Sequence, residues 1–147
     1  MSNAVRSFTW PVRVYWEDTD AGGIVYYANY LRFMERARTE WLRSRGIEQA
    51  QLQREQGLVF VVVNAESHFQ RPARYGDLLQ VTCEIEKWTK VSLMFKQDVM
   101  RANDDSHEME MLVTGRVRVA CVDAAKFRPR ALPESVVREM NEESGDR

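Results

Sequence analysis

Between Ala28 and Arg45 the apolar residues Tyr30, Phe33, Met34, Ala37 and Trp41 recur at i, i+3, i+4, i+7 and i+11. That is the spacing of one face of an α-helix. Arg32, Glu35, Arg36, Arg38, Glu40 and Arg43 fill much of the remaining surface, and Gly46 supplies a C-terminal stop. Only short helices are expected elsewhere, over Gln49–Gln56 with Gly57 closing it, and near Glu134–Met140. A single long helix with one apolar face must bury that face against something, and the rest of the chain reads as β-structure.

A first strand is expected from Trp10 to Glu17, with Pro11 near its start, where a missing N–H is tolerated. Leu58 to Val63 is a continuous, mostly β-branched run that suggests a strand covered on both faces. It alternates onward through Ala65, Ser67 and Phe69 to the break Arg71-Pro72-Ala73-Arg74-Tyr75-Gly76-Asp77. Leu79, Val81, Cys83 and Ile85 then alternate with Gln80, Thr82, Glu84 and Glu86, the pattern of a half-buried strand. Val91, Leu93, Phe95 and Val99 continue the period, Asn103-Asp104-Asp105 makes a turn, and Met109 to Cys121 forms a long last strand with Gly115 as a candidate bulge. Read as a meander, these strands give an α+β class: a curved antiparallel sheet wrapped around one long central helix. The open edges of such a sheet invite a partner strand, so a dimer is expected. At 147 residues the chain suits one domain, 1–147, with a frayed tail from about 141.

Composition removes several function classes. The net charge of −1 gives no global electrostatic case for nucleic acid. No apolar run approaches the roughly 18 residues of a membrane span. Met1–Arg6 carries no apolar stretch of signal-peptide type, so a cytoplasmic protein is expected. Cys83 and Cys121 sit in strand-like stretches without a neighbouring His and read as buried free thiols. With only His68 and His107 available, neither a metal site nor a cofactor is expected.

Chemistry concentrates in the stretch from Arg13 to Tyr30, where Glu17, Asp18 and Asp20 precede Gly22 and Gly23 at the start of the long helix. A calcium loop beginning at Asp18 would need oxygen ligands where Gly22 and Asn29 stand, so that reading fails. A helix-capping acid is the plain alternative. Ile24-Val25-Tyr26-Tyr27 follows at once, however, which implies a turn drawn into an apolar pocket. A carboxylate there, beside free helix N–H groups, is a candidate catalytic group.

The same stretch resembles the signature of the 4-hydroxybenzoyl-CoA thioesterase family of hotdog-fold enzymes, and Val12 to Tyr26 is closest to its Tol–Pal-associated branch. The resemblance extends through Glu35–Glu40, Arg71-Pro72-Ala73, Cys121-Val122-Asp123 and Lys126–Pro133, nearly the whole chain. It implies a hotdog fold that hydrolyses short-chain or aromatic acyl-CoA, assembled as a homodimer and then a homotetramer. Asp20 matches the family's nucleophile or general base, and Tyr27 the residue whose backbone N–H meets the oxyanion. Gly23, Ile24 and Val25 would then flank the substrate, with Arg71, Lys90 and Ser92 as candidates for the CoA phosphates. The Tol–Pal-associated branch often carries His where this chain has Tyr27. Glu35 is a second candidate carboxylate, set against an ordinary ion pair with Arg36 or Arg38, and His68 is read as structural. The competing function is a non-catalytic module that binds acyl-CoA or acyl carrier protein for the Tol–Pal envelope machinery.

Overall fold

A computed structural model describes residues 8–103 and 105–145, so Met1–Arg6, Asp104 and the end of the tail lie outside the described residues. In chain order the elements are β1 (Phe8–Arg13), α1 (Asn29–Ser44), α2 (Gln49–Gln56), β2 (Leu58–Phe69), β3 (Leu78–Trp88), β4 (Ser92–Ala102), β5 (Met109–Asp123) and α3 (Glu134–Gly145). The strands form one antiparallel sheet in the order β1-β3-β4-β5-β2. α1 packs on its inner face in the hotdog arrangement.

The helical stripe behaves as its spacing requires. Tyr30, Phe33, Met34, Ala37 and Trp41 are all buried, joined by Leu42 and Arg38. They meet the inward residues of the sheet, among them Val81 of β3, Phe95 of β4 and Val117 of β5. Trp41 packs edge-on against Phe95 with ring centroids 5.6 Å apart. Cys83 and Cys121 are free and buried, and burial raises both thiols above their ordinary pKa. α2 is capped by the Glu48 carboxylate, which accepts the Gln51 N–H, and it ends on Gly57 at φ +68°.

Several features depart from the pattern reading. β1 stops at Arg13, and Trp16–Asp18 is a 3-10 turn, because the Asp18 carboxylate takes the Tyr15 N–H at 2.8 Å and bends the chain. β2 does not neighbour β3; only β3, β4 and β5 meander, while β2 crosses to the far side and pairs along β5. It is therefore an edge strand, and Val62 and Val63, expected to be covered on both faces, are 52% and 54% exposed in the single chain. α3 continues to Gly145, beyond the end of its apolar pattern at Met140.

Gly115 is not a bulge. It pairs in unbroken register with Ser67 and Gln97, and the irregularity falls instead between Met111 and Val113. The reason for glycine is proximity: a Cβ there would lie 2.7 Å from Met34 Cε and 3.2 Å from the Gln97 carbonyl oxygen. Gly115→Val should lower stability by about 1–3 kcal/mol through overpacking. Urea denaturation checks this, and an unchanged midpoint would mean that Met34 moves aside freely.

Candidate active site

The acidic stretch folds as a small hairpin pinned to the start of α1. Asp20 N–H donates to the Ile24 carbonyl at 2.9 Å, Gly23 N–H donates to the Asp20 carbonyl at 2.9 Å, and Thr19 bridges Val25. Gly23 turns the chain at φ +80°. Gly22 N–H donates to Asp20 Oδ1 at 2.9 Å, and a Cβ on Gly22 would stand 3.3 Å from that same oxygen. One carboxylate oxygen is thereby fixed, and Oδ2 has no hydrogen-bond partner among the described residues.

The three acids have separate tasks. The buried Asp18 caps its own turn through Tyr15, and its carbonyl accepts from Tyr26 N–H (3.0 Å) and Asn29 Nδ2 (2.9 Å). Glu17 is exposed. Asp20 is left as the carboxylate free for chemistry. The turn is not sunk into an apolar pocket as its neighbours suggested: Asp20 to Gly23, Tyr26 and Tyr27 are exposed, and only Val25 is buried. Of the apolar side chains that follow Asp20, Tyr26 and Tyr27 face outward, Ile24 is half-buried and Val25 packs beneath the hairpin.

At the start of α1, Ala28 provides no side-chain cap. Asn29, Tyr30 and Leu31 N–H groups donate to the carbonyls of Tyr26, Tyr27 and Ala28, whereas those of Tyr27 and Ala28 donate to nothing among the described residues. Two unanswered donors thus stand at the positive end of the helix, next in sequence to the Asp20 hairpin. The exposed Tyr27 ring leans edge-on against Phe69 at 6.1 Å.

The segment 71–77 holds this assembly in place. The Ala73 carbonyl accepts Val25 N–H at 2.9 Å, Ala73 N–H donates to the Tyr30 hydroxyl at 3.0 Å, and Arg74 bridges Ile24. Burial pushes the Tyr30 hydroxyl above its ordinary pKa, so it stays neutral. Arg101 clamps the segment: Nη1 reaches Asp77 Oδ2 at 2.7 Å and the Pro72 carbonyl at 3.2 Å, and Nη2 reaches Glu110 Oε1 at 2.9 Å. Its hydrogen bond holds Glu110 below the ordinary carboxylate value of 4.5. A depressed carboxylate contributes stability above its unfolded pKa and loses it as pH falls through the folded value. Arg101→Met should therefore melt earlier than the parent at neutral pH, with the gap narrowing below about pH 4.5. Thermal melts across pH 3–7 test this, and a gap independent of pH would remove Glu110 from the clamp.

The other candidate residues divide by place. Arg71 is at the same end as the hairpin, paired with Glu110 at 3.0 Å. Lys90 lies in the β3–β4 turn and Ser92 opens β4, the length of β3 from Arg74, about 33 Å at the usual rise. Lys90 is exposed, while the buried Ser92 hydroxyl shares a hydrogen bond with Thr89 Oγ1 at 2.8 Å. His68 is exposed and faces Glu66 across 3.6 Å. Glu35 pairs with neither arginine: it accepts from Thr39 Oγ1 at 3.2 Å, Arg36 lies over the Phe33 ring, and Arg38 turns into the core. Adjacent helix positions do not face each other, which separates Glu35 from Arg36. The sequence reading gave Ala73 no task beyond its place in the Arg71-Pro72-Ala73 resemblance and did not foresee the Arg101 clamp; the Pro and Gly breaks in 71–77 were the local sign that this segment has a structural task.

The model of the thioesterase-like superfamily matches residues 14–140. The chain belongs to that superfamily. This thioesterase-superfamily member is 45% identical over 135 residues to the acyl-CoA thioester hydrolase YbgC of Escherichia coli O6:H1, across 92% of this chain and 96% of the relative. It is 35% identical to a probable thioesterase of Bartonella henselae whose crystal structure superposes with a TM-score of 0.73, covering 86% of this chain and 98% of that one. The 4-hydroxybenzoyl-CoA thioesterase of Pseudomonas sp. strain CBS-3 shares the fold at a TM-score of 0.82 and 24% identity, covering 90% and 97%. Among the described residues, no helix of the thioesterase is long and apolar enough to cross a membrane.

Proposed function

We propose that this chain hydrolyses acyl-CoA thioesters, of short-chain or aromatic acids, with Asp20 acting on the carbonyl carbon and the start of α1 receiving the oxyanion. Thioester hydrolysis is the reaction class of the superfamily to which the chain belongs. The observation that carries the assignment of roles is the pair of unanswered N–H groups at Tyr27 and Ala28 beside the Asp20 hairpin. Asp20 either attacks the carbonyl, so that the C–S bond breaks, CoA leaves as its thiolate and water opens the resulting mixed anhydride, or it draws a proton from a water that attacks the carbonyl and expels CoA directly. In both routes the thioester oxygen becomes negative, and each well-placed donor is worth about 2.7–4 kcal/mol at that moment. The Tyr27 donor is main-chain, so it does not depend on Tyr or His standing there.

The working unit is a dimer. β2 exposes Val62 and Val63 on a free edge, and a second copy pairing antiparallel there covers both. Such pairing also carries Lys90 and Ser92 of one chain toward the hairpin of the other, which a single chain keeps at opposite ends of its sheet. Gly23, Ile24 and Val25 then flank the thioester, and Arg71 and Lys90 meet the CoA phosphates. We place the enzyme in the cytoplasm as a homotetramer of the Tol–Pal-associated branch, with acyl carrier protein as a second source of acyl groups. Thiol release from a panel of acyl-CoAs of graded length tests the function. Binding across the panel without turnover would instead favour the non-catalytic module.

A further inference from the structure

α1 opens on Asn29 and Tyr30, and both side chains reach back toward the Asp20 hairpin. Asn29 Nδ2 donates to the Asp18 carbonyl at 2.9 Å, on the incoming arm of the hairpin. The Tyr30 hydroxyl accepts Ala73 N–H at 3.0 Å, and the Ala73 carbonyl accepts Val25 N–H at 2.9 Å, on the outgoing arm. Each arm is thus tied to the first turn of the helix, one directly and one through Ala73. Tyr30 is 3% exposed, and its ring packs against Phe33 and Phe69 at centroid distances of 6.0 and 5.8 Å, which holds the hydroxyl in place. Within the hairpin, the Asp20 N–H bond to Ile24 and the Thr19–Val25 bridge join the two arms. A shift at either tie therefore carries the Asp20 carboxylate with it.

The Tyr27 and Ala28 N–H groups stand in the link between hairpin and helix, after Tyr26 and before Asn29. That link can swivel at each φ and ψ, so chain continuity alone does not set the distance from Asp20 to those donors. We propose that Asn29 and Tyr30 are positioning residues for thioester hydrolysis, fixing the Asp20 carboxylate relative to the two helix N–H groups. The inference rests on the thioesterase reading and asks nothing of a second chain. Neither side chain touches the reacting atoms; each acts through the hairpin. Attack on the carbonyl carbon and stabilisation of its oxygen make simultaneous demands on one C–O bond. An error of about 1 Å between the groups that meet them can cost about 10²-fold in rate. Removing the Tyr30 hydroxyl leaves the fully buried Ala73 with an unanswered N–H, a cost that the segment relieves only by shifting.

The test is thiol release by Tyr30→Phe and Asn29→Ala, each made in the parent and in the Asp20→Asn background. The substrate is the member of the graded acyl-CoA panel that the parent hydrolyses fastest. In the parent each substitution should lower kcat by about tenfold or more while KM stays within about threefold. In the Asp20→Asn background, with no carboxylate to place, each should change the residual rate by less than about twofold. A purely structural role would give the same loss in both backgrounds. Leu52→Ala, which opens the core beneath α2 beyond the far end of α1, is the control for lost stability and should retain the parent kcat. Should Tyr30→Phe not fold, the half-buried Asn29 provides the same reading through Asn29→Ala. Parent-like kcat in the folded variants, a loss carried by KM, equal losses in the two backgrounds, or a matching loss in Leu52→Ala overturns the proposal and leaves the thioesterase reading standing. A parent that hydrolyses no acyl-CoA overturns the thioesterase reading, and the positioning role falls with it.

Discussion

Asp20→Asn is expected to cut thioester hydrolysis by about 10²–10⁴-fold while the fold and its melting temperature stay as they were. The side chain keeps its shape, and its Oδ1 still accepts from Gly22 N–H. What disappears is the negative charge, and with it both the nucleophile and the base. Stability should be indifferent, because the carboxylate is exposed and makes no ion pair among the described residues. Thiol release together with circular dichroism separates the two effects. Hydrolysis at the parent rate would show that Asp20 is only a helix-capping acid.

Val63→Lys is expected to have the next largest effect, by turning the proposed dimer into monomers. An ammonium in the middle of an open strand opposes edge pairing, and Val63 contributes little to its own chain's core at 54% exposure. Monomers should lose at least about tenfold in kcat/KM, because the main-chain donors and the proposed phosphate-binding residues, on opposite chains of the proposed dimer, no longer meet. KM should rise as well, since the proposed contact of Lys90 with the CoA phosphates crosses the proposed interface. Sedimentation and kinetics at one protein concentration provide the check. A fully active monomer would place the whole site within one chain.

Much of this was legible from residues 28–45 alone. A 3.6-residue stripe around a lone helix forces a sheet to cover it, and the five stripe residues are all buried. Alternation in β3, β4 and β5 located those strands for the same reason. Strand order was not legible, because period-2 patterning says which face is buried and nothing about which strand lies beside it. Hence β2 looked doubly covered when it is an edge. The buried Arg38–Gln97 contact was hidden because a charged residue beside an apolar stripe reads as solvent-facing until the sheet brings Gln97 across from it. The candidate catalytic turn was singled out by its acids and glycines. Its open surroundings were not legible, since the apolar run Ile24-Val25-Tyr26-Tyr27 does not say which of its side chains pack inward.

The Asp20 hairpin is tied down by main-chain atoms: Val25 N–H to Ala73, Asp20 N–H to Ile24, Tyr26 N–H to Asp18. Backbone ties of this kind are indifferent to which side chain each position carries. Residues 24, 26 and 27 can therefore exchange size and polarity while the carboxylate and the helix donors stay where they are. Acyl preference can drift quickly in such a scaffold, and hydrolytic competence need not drift with it. Laboratory selection for a new acyl-CoA should accordingly collect its first substitutions at these outward side chains and leave Ala73 and its hydrogen bonds untouched.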